Sequence, residues 1–355
     1  MKLNVAGCMT GTSMDGLDVS VVQIEGDSLE LKVEPLEHKS LEFGSLSNAL
    51  RDISLSKTIE IHEYVKVRDD FSHLHCELIS SLSSEVDLIS VHGQTLYHNP
   101  PQSLQMINSS IIAHTHSVPV VSDLRAADLA CGGQGAPITP LSDWILFKGI
   151  EKRAIVNLGG FCNTTLLPEK SGGIDEVSGL DVCPCNHLLD NVCRHLLKKP
   201  FDENGVYSAS GKINEDLMNK LNELMDAFRS SKRSLGTGDE LFEEILKYSQ
   251  SINGADVLRT LCAVIARQVN LVSVNCEIII LAGGGALNPT LVEEIARSCG
   301  KTVCKSDDYK IPVQYRESVA MAILGYLCKQ RIPITLSQVT HTQKGNPVAG
   351  VWVYP

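Results

Sequence analysis

Lys2-Leu-Asn-Val-Ala-Gly-Cys-Met-Thr-Gly-Thr-Ser-Met-Asp-Gly-Leu-Asp-Val-Ser-Val-Val22 opens the chain with two apolar runs that meet at a polar turn. The first run reaches Met9 and the second extends from Leu17 to Ile24, while Thr10 to Gly16 are small, hydroxylated or acidic. This pattern predicts a strand, a tight turn and a returning strand. Gly11 and Gly16 permit close backbone approach, and Thr12 and Ser13 add hydroxyl donors, which is what a phosphate requires. Asp15 suits a magnesium ion, held directly or through water. An ordinary polar hairpin has the same composition, so this segment alone leaves both readings open.

The same grammar returns at Arg153-Ala-Ile-Val-Asn-Leu-Gly-Gly-Phe-Cys-Asn-Thr-Thr-Leu-Leu167, again strand, glycine-containing turn, strand. The two stretches predict a duplicated structural unit: two α/β halves, with a ligand in the cleft between them. Cys131-Gly-Gly-Gln-Gly-Ala-Pro137 breaks the pattern with three glycines and a proline, which places the expected boundary there. The expected domains are 1–131 and 132–334, with about 335–355 returning to the first.

Between these landmarks, Leu29 to Leu36 reads as a third strand, 46–82 carries apolar residues at helical spacing, and Val86 to Val91 is a short buried strand. That strand opens onto His92-Gly-Gln-Thr95, where open α/β sheets place ligand contacts. A plain turn at Gly93, with His92 and Gln94 satisfying loop backbone, is the competing reading. A strand at Val118 to Val121 runs into Asp123, Arg125 and Asp128. There Asp123 suits a helix cap, and Arg125 suits either a surface ion pair or an anion or sugar hydroxyl.

In the second half, Asp181 lies at the mouth of a turn and Asn186 at the expected cap of a helix over about 187–197. Gly205 to Lys212 resembles a P-loop but has one residue too many and Ile213 in place of the hydroxyl, so it is set aside. Lys232 to Asp239 reads as a charged, glycine-rich loop between helices. Glu277-Ile-Ile-Ile-Leu-Ala-Gly-Gly-Gly-Ala-Leu-Asn-Pro289 is a buried strand, a triple glycine and a helix start, able to lie flat against a ring or phosphate. Tyr315 to Tyr326 is a helix with small residues at close spacing; Glu317 in its first turn favours the helix dipole.

The chain has 355 residues, enough for two domains, and 31 Lys and Arg against 42 Asp and Glu, a net charge of −11. That balance argues against nucleic acid and anionic membrane as partners. Its 12 cysteines are scattered, which fits reduced, buried thiols; Cys183-Pro-Cys185 is a weak metal signal. Val5-Ala-Gly-Cys8 looks like a lipoprotein box, but the apolar core before it is too short for secretion, and the cytoplasm is the expected compartment.

A duplicated chain with a Gly-Thr-Ser-x-Asp-Gly hairpin, a second hairpin and a late triple glycine is similar to the two-domain actin-like (ribonuclease-H-like) ATPases and sugar kinases. More narrowly, Gly11 to Asp18, His92 to Thr95, Gly132 to Pro137, Asn157 to Gly160, Leu180-Asp181 with Pro184 and Asn186, and Gly283 to Ala286 resemble, in order, the motifs of the anhydro-N-acetylmuramic acid kinase family. The resemblance implies an ATP-dependent enzyme of cell-wall (peptidoglycan) sugar recycling. It would open the 1,6-anhydro ring of a bicyclic muramic acid and phosphorylate O6, giving the 6-phosphate and ADP. It implies Asp181 as the base that activates water. Gly11, Thr12, Ser13, Met14, Asp15, Gly16, Leu17 and Asp18 would grip the phosphates with Mg2+, joined by Asn157, Gly159, Gly160, Gly283, Gly284 and Gly285. Gln94, Thr95 and Arg125 would be sugar contacts, with Asp15 and Glu317 as metal candidates, and the assembly a homodimer. A related anhydrosugar such as levoglucosan, or a non-catalytic binding homologue, are the alternatives. After the aspartate the family pattern is Thr-Gly-Pro-Gly-Asn, whereas here it is Val182-Cys-Pro-Cys-Asn186. If those glycines supply positive φ or close approach, two side chains intrude on the pocket; small buried residues filling a reshaped loop are the favoured alternative.

Overall fold

In a computed structural model, which describes residues 1–55, 58–230, 239–249 and 251–355, the chain forms two compact α/β units. One comprises Met1–Phe147 with Tyr315–Pro355, and the other Lys148–Gln314. The glycine-rich segment 131–137 therefore lies inside the first unit. The loop read at 232–238 lies outside the described residues.

The first unit opens with β1 (Lys2–Met9), β2 (Gly16–Asp27) and β3 (Glu30–Glu42), paired antiparallel, with Met9 opposite Asp18 at the turn. Next come α1 (Leu46–Leu55), α2 (Ile61–Ser80) and β4 (Leu88–Val91), which runs parallel to β1. All four residues of β4 are buried, as expected for a strand covered on both faces. A hairpin of β5 (Gln94–Asn99) and β6 (Gln102–Met106) follows, then α3 (Ser109–His116), β7 (Val120–Ser122), α4 (Ala126–Ala130) and α5 (Pro140–Phe147).

In the second unit, β8 (Arg153–Leu158), β9 (Phe161–Leu167) and β10 (Ser178–Pro184) repeat the antiparallel meander. The helices α6 (Asn186–Val192), α7 (Val206–Ser210), α8 (Glu215–Ser230), α9 (Asp239–Tyr248) and α10 (Gly254–Val272) lead to β11 (Ile278–Ala282). Then α11 (Pro289–Cys299) and β12 (Thr302–Lys305) complete it. The chain returns to the first unit with α12 (Arg316–Lys329) and the edge strand β13 (Val351–Val353).

The sheet orders are β3-β2-β1-β4-β7-β13 and β10-β9-β8-β11-β12. Each has an antiparallel meander followed by parallel strands, the first closed by β13 antiparallel to β7, so the duplication expected from the two hairpins is one of topology. This is the two-domain α/β arrangement anticipated from the sequence.

Helix α12 is buried almost all round, because it is apolar on every face and packs on the first sheet. Two small-residue approaches make this possible. A Cβ on Gly7 would overlap the Ser318 carbonyl oxygen, and one on Gly325 would overlap Ser90. Arg316 and Asp143, 1% and 0% exposed, pair through Arg316 Nε to Asp143 Oδ1 at 2.8 Å and through a second contact from Nη2, welding α12 to α5. Removing one partner of such a buried pair typically costs about 3–5 kcal/mol. That pair explains why both α5 and α12 belong to the first unit.

Candidate active site

The turn from β1 to β2 is held by its carbonyls. Gln94 Nε2 donates to Gly11 O at 3.2 Å, Arg51 Nη2 to Ser13 O at 3.0 Å, and Ser47 Oγ to Met14 O. With those oxygens taken by α1 and β5, no acceptor among the described residues uses the N–H of Thr12 or Ser13. Backbone donors left open in a tight turn form an anion-binding concavity. Met14 sits in the left-handed region at φ 54° with its side chain plugged into the core. Asp15 is exposed and accepts Ser13 Oγ at 2.6 Å.

Asp18, half-buried at the start of β2, accepts Ser40 Oγ at 2.5 Å. Burial, then the like charges of Glu317 and Asp15, push its carboxyl up to about 6 against the Ser40 hydrogen bond. Glu317 also lies within electrostatic reach of Arg125. The hairpin, Gln94, Arg125 and Glu317 are thus gathered in the first unit around one set of opposed charges.

Gln94 is fully buried, and its Oε1 has no partner among the described residues, an acceptor waiting for a donor. Thr95 Oγ1 accepts Gln105 Nε2 from β6 at 3.3 Å. Among the described residues Arg125 makes no ion pair within salt-bridge distance. Its Nη1 donates to Gly135 O at 2.6 Å, and Nε and Nη2 donate to His92 Nε2 at 3.1 and 2.8 Å. Burial draws its pKa down to about 10, with Glu317 pulling the other way. Asp123 Oδ1 accepts Ala126 N at 3.2 Å, but the cap position of α4 is Arg125, so Asp123 is not the cap.

The second unit gathers the remaining residues. Asn157, Asn163 and Asp181 are register partners across β8, β9 and β10, so three polar side chains form one row on the sheet. Asn157 is buried with no partner for Oδ1 among the described residues, whereas Asp181 is exposed at the outer end. Desolvation by the groups around it raises the Asp181 carboxyl pKa. Asn163 escaped the sequence reading. The only signal for it was its pairing with Asn157 across the Gly159-Gly160 turn. Gly283, at φ 82°, follows β11 directly beside Asn157. A Cβ there would come within 2.8 Å of Asn157 Oδ1 and the Leu158 carbonyl. Among the described residues the space over Gly284 is bounded only by Asn186 Nδ2 at 3.7 Å.

Asn186 is not the cap of α6. Cys185 occupies that position, and Asn186 spends its Nδ2 on Leu158 O at 3.1 Å, tying α6 to the Gly159-Gly160 turn. Cys183 and Cys185 are buried, as small residues filling a reshaped loop would be, rather than intruding. A bulge between Asp181 and Cys183 turns Cys183 inward, and Val182, Cys183 and Cys185 are 3%, 1% and 0% exposed in the core of the second unit. Cys185 has φ −129°, and neither cysteine is among the described residues with positive φ. Among the described residues no group of three or more His, Cys, Asp or Glu is set to chelate a metal, and no helix is long and apolar enough to cross a membrane.

A family model described as anhydro-N-acetylmuramic acid kinase matches residues 3–354. The anhydro-N-acetylmuramic acid kinase of Prochlorococcus marinus (strain MIT 9303) is 32% identical over 91% of this chain and 92% of that protein. Its namesake from Clostridioides difficile (strain 630) is 29% identical over 90% of each. Among solved structures, the activator of the 2-hydroxyisocaproyl-CoA dehydratase from Clostridium difficile with bound ADPNP superposes at a TM-score of 0.45, with 12% identity over 92% of this chain and 94% of that one. The span of the family model and the coverage of these relatives place the chain in the anhydro-N-acetylmuramic acid kinase family.

Proposed function

We propose that this chain is an ATP-dependent kinase that hydrolytically opens 1,6-anhydro-N-acetylmuramic acid and phosphorylates its O6. The observation that carries this reading is family membership across residues 3–354. Asp181 takes the proton of a water that attacks the anomeric carbon; the C1–O6 bond breaks, O6 attacks the γ-phosphorus, and ADP leaves. Its exposure gives water access, and burial of its surroundings raises its pKa, which makes it a stronger base than an ordinary carboxylate. The open N–H groups of Thr12 and Ser13 suit the γ-phosphate, and the glycines at 283–285 suit close approach of the nucleotide. Gln94, through its unpartnered Oε1, accepts from a sugar hydroxyl or amide, with Thr95 and Arg125 as further sugar contacts. Phosphoryl transfer depends mostly on such positioning and on charge neutralisation.

The carboxylates fit magnesium. Asp18, Asp15 and Glu317 are hard oxygen donors, and burial with the like charges of Glu317 and Asp15 raises Asp18. Magnesium commonly takes one or two carboxylates and completes its shell with water and phosphate. Asp15 or Glu317 would hold the ion as one or two carboxylate ligands rather than as part of a three-carboxylate chelate, and it would supply neutralisation of the phosphate charge. The same family reading carries a homodimer working in the cytoplasm, which sedimentation velocity and cell fractionation test.

Incubation with Mg-ATP and each anhydrosugar in turn, following ADP release, tests the assignment. ADP with the muramic compound and none with levoglucosan is the expected result. ADP with levoglucosan alone shifts the substrate to a sugar without the lactyl carboxylate. ATP binding with no ADP from any sugar makes the chain a binding homologue.

A further inference from the structure

We propose that His92 is a positioning residue for Arg125, a hydrogen-bond acceptor that fixes the guanidinium in the orientation in which it meets the sugar. This rests on the reading of Arg125 as a sugar contact.

The imidazole is fixed at both nitrogens. Nδ1 lies 2.7 Å from the carbonyl oxygen of Gly93. A carbonyl only accepts, so Nδ1 carries the proton and Nε2 keeps its lone pair. That lone pair receives Arg125 Nε at 3.1 Å and Nη2 at 2.8 Å. An imidazolium has no lone pair to offer, and the site forbids one: burial and the Arg125 charge push His92 down to about 3. The acceptor therefore persists across the physiological range.

The other side of the guanidinium is held as firmly. Nη1 donates to Gly135 O at 2.6 Å. Gly135 is anchored in turn, its N–H donating to Asp128 Oδ2 at 2.7 Å, while Thr340 Oγ1 donates to Asp128 Oδ1 at 2.7 Å. Of the five N–H donors of an arginine, three are engaged by the described residues, leaving one on each terminal nitrogen in a fixed fork for a ligand. Gly93 O also accepts Thr10 Oγ1 at 2.9 Å, at the foot of the β1–β2 turn. One carbonyl thus sets the histidine tautomer and tethers the phosphate hairpin. A histidine that merely filled the core would need neither Nε2 aimed at the guanidinium nor this tautomer.

The test compares His92→Leu, which removes the acceptor, with His92→Gln, whose amide oxygen reaches the place of Nε2. Steady-state kinetics with Mg-ATP and 1,6-anhydro-N-acetylmuramic acid should show the sugar KM of His92→Leu raised about tenfold or more, with the ATP KM within about twofold. His92→Gln should restore the sugar KM to within about threefold of the parent. An unchanged sugar KM in His92→Leu, or equal losses in both variants, overturns the proposal. Arg125→Ala separates the two levels. If it leaves the sugar KM unchanged, the reading of Arg125 fails; if it raises that KM while His92→Leu does not, the positioning role alone fails. Nitrogen-15 NMR of the unmutated protein gives a readout independent of variant folding. A neutral Nδ1–H tautomer from pH 5 to 8 is expected, and an Nε2–H tautomer or a protonated ring contradicts the proposal.

Discussion

Gly7 in β1 and Ser318 in α12 meet backbone to backbone: a Cβ on Gly7 would overlap the Ser318 carbonyl oxygen and crowd Ala322 N. The phosphate hairpin therefore springs from a strand that lies flat against a buried helix, and Glu317 is delivered by the first turn of that same helix.

Gly7→Ala is accordingly expected to destabilise the protein by about 2–3 kcal/mol, since strand and helix must separate to admit a methyl group. Urea unfolding measures it. The variant should also lose turnover beyond any loss of folded protein, because the separation moves Glu317 away from the hairpin. Full activity per folded molecule would show that the Glu317 position is immaterial.

Asp18 gives a pH-dependent expectation. Its folded pKa, about 6, lies above the ordinary value of 3.8. The group therefore stabilises the fold relatively when protonated, and that contribution, complete below the unfolded pKa, is lost as pH rises through 6. Asp18→Asn should thus stabilise the ligand-free protein by up to about 2 kcal/mol at pH 8, with the gain vanishing near pH 4. Thermal unfolding across pH reads this out. The same variant should lose kinase activity, since the carboxylate is kept for the phosphate end of the reaction. A gain that grows towards acid contradicts the account.

The thiols of the replaced glycine positions should be silent. Cys162, Cys183 and Cys185 are buried, and burial with neighbouring like groups raises Cys185 while the Cys183 contact, then burial, raises Cys162. A thiol reagent on the native protein should modify Cys131, Cys299 or Cys304, which are partly exposed, and spare the buried set. Reverting Cys185 to glycine should cost about 1–3 kcal/mol through a core cavity. Rapid labelling of Cys183 or Cys185, read by mass spectrometry of peptides, would place them at an open surface and contradict the packing.

The hairpins at 10–16 and 159–160 and the triple glycine were legible because glycine and apolar periodicity are local signals. What the sequence hid depends on distant partners. The glycines of 131–137 read as a hinge, yet Gly133 packs directly on the Asp128 carboxylate and Gly135 on Leu129, so they permit close packing within one unit. The return of the chain at Tyr315 is set by Arg316 and Asp143, 173 residues apart, which no local pattern reveals. Gln94 reads as loop because β5 is polar and half-exposed, lacking clean alternation. The inward turn of Cys183 follows from a one-residue bulge, which moves side chains between the faces of a strand and leaves no mark on composition.

The central claim is that a single carboxylate, Asp181, performs the bond-opening step while the rest of the machinery positions and neutralises charge. It is tested most directly by ADP release from Asp181→Asn with Mg-ATP and 1,6-anhydro-N-acetylmuramic acid, alongside ATP binding by calorimetry. The account predicts turnover reduced by at least about a thousandfold, with ATP affinity within about twofold of the parent. Turnover close to that of the parent enzyme would contradict it.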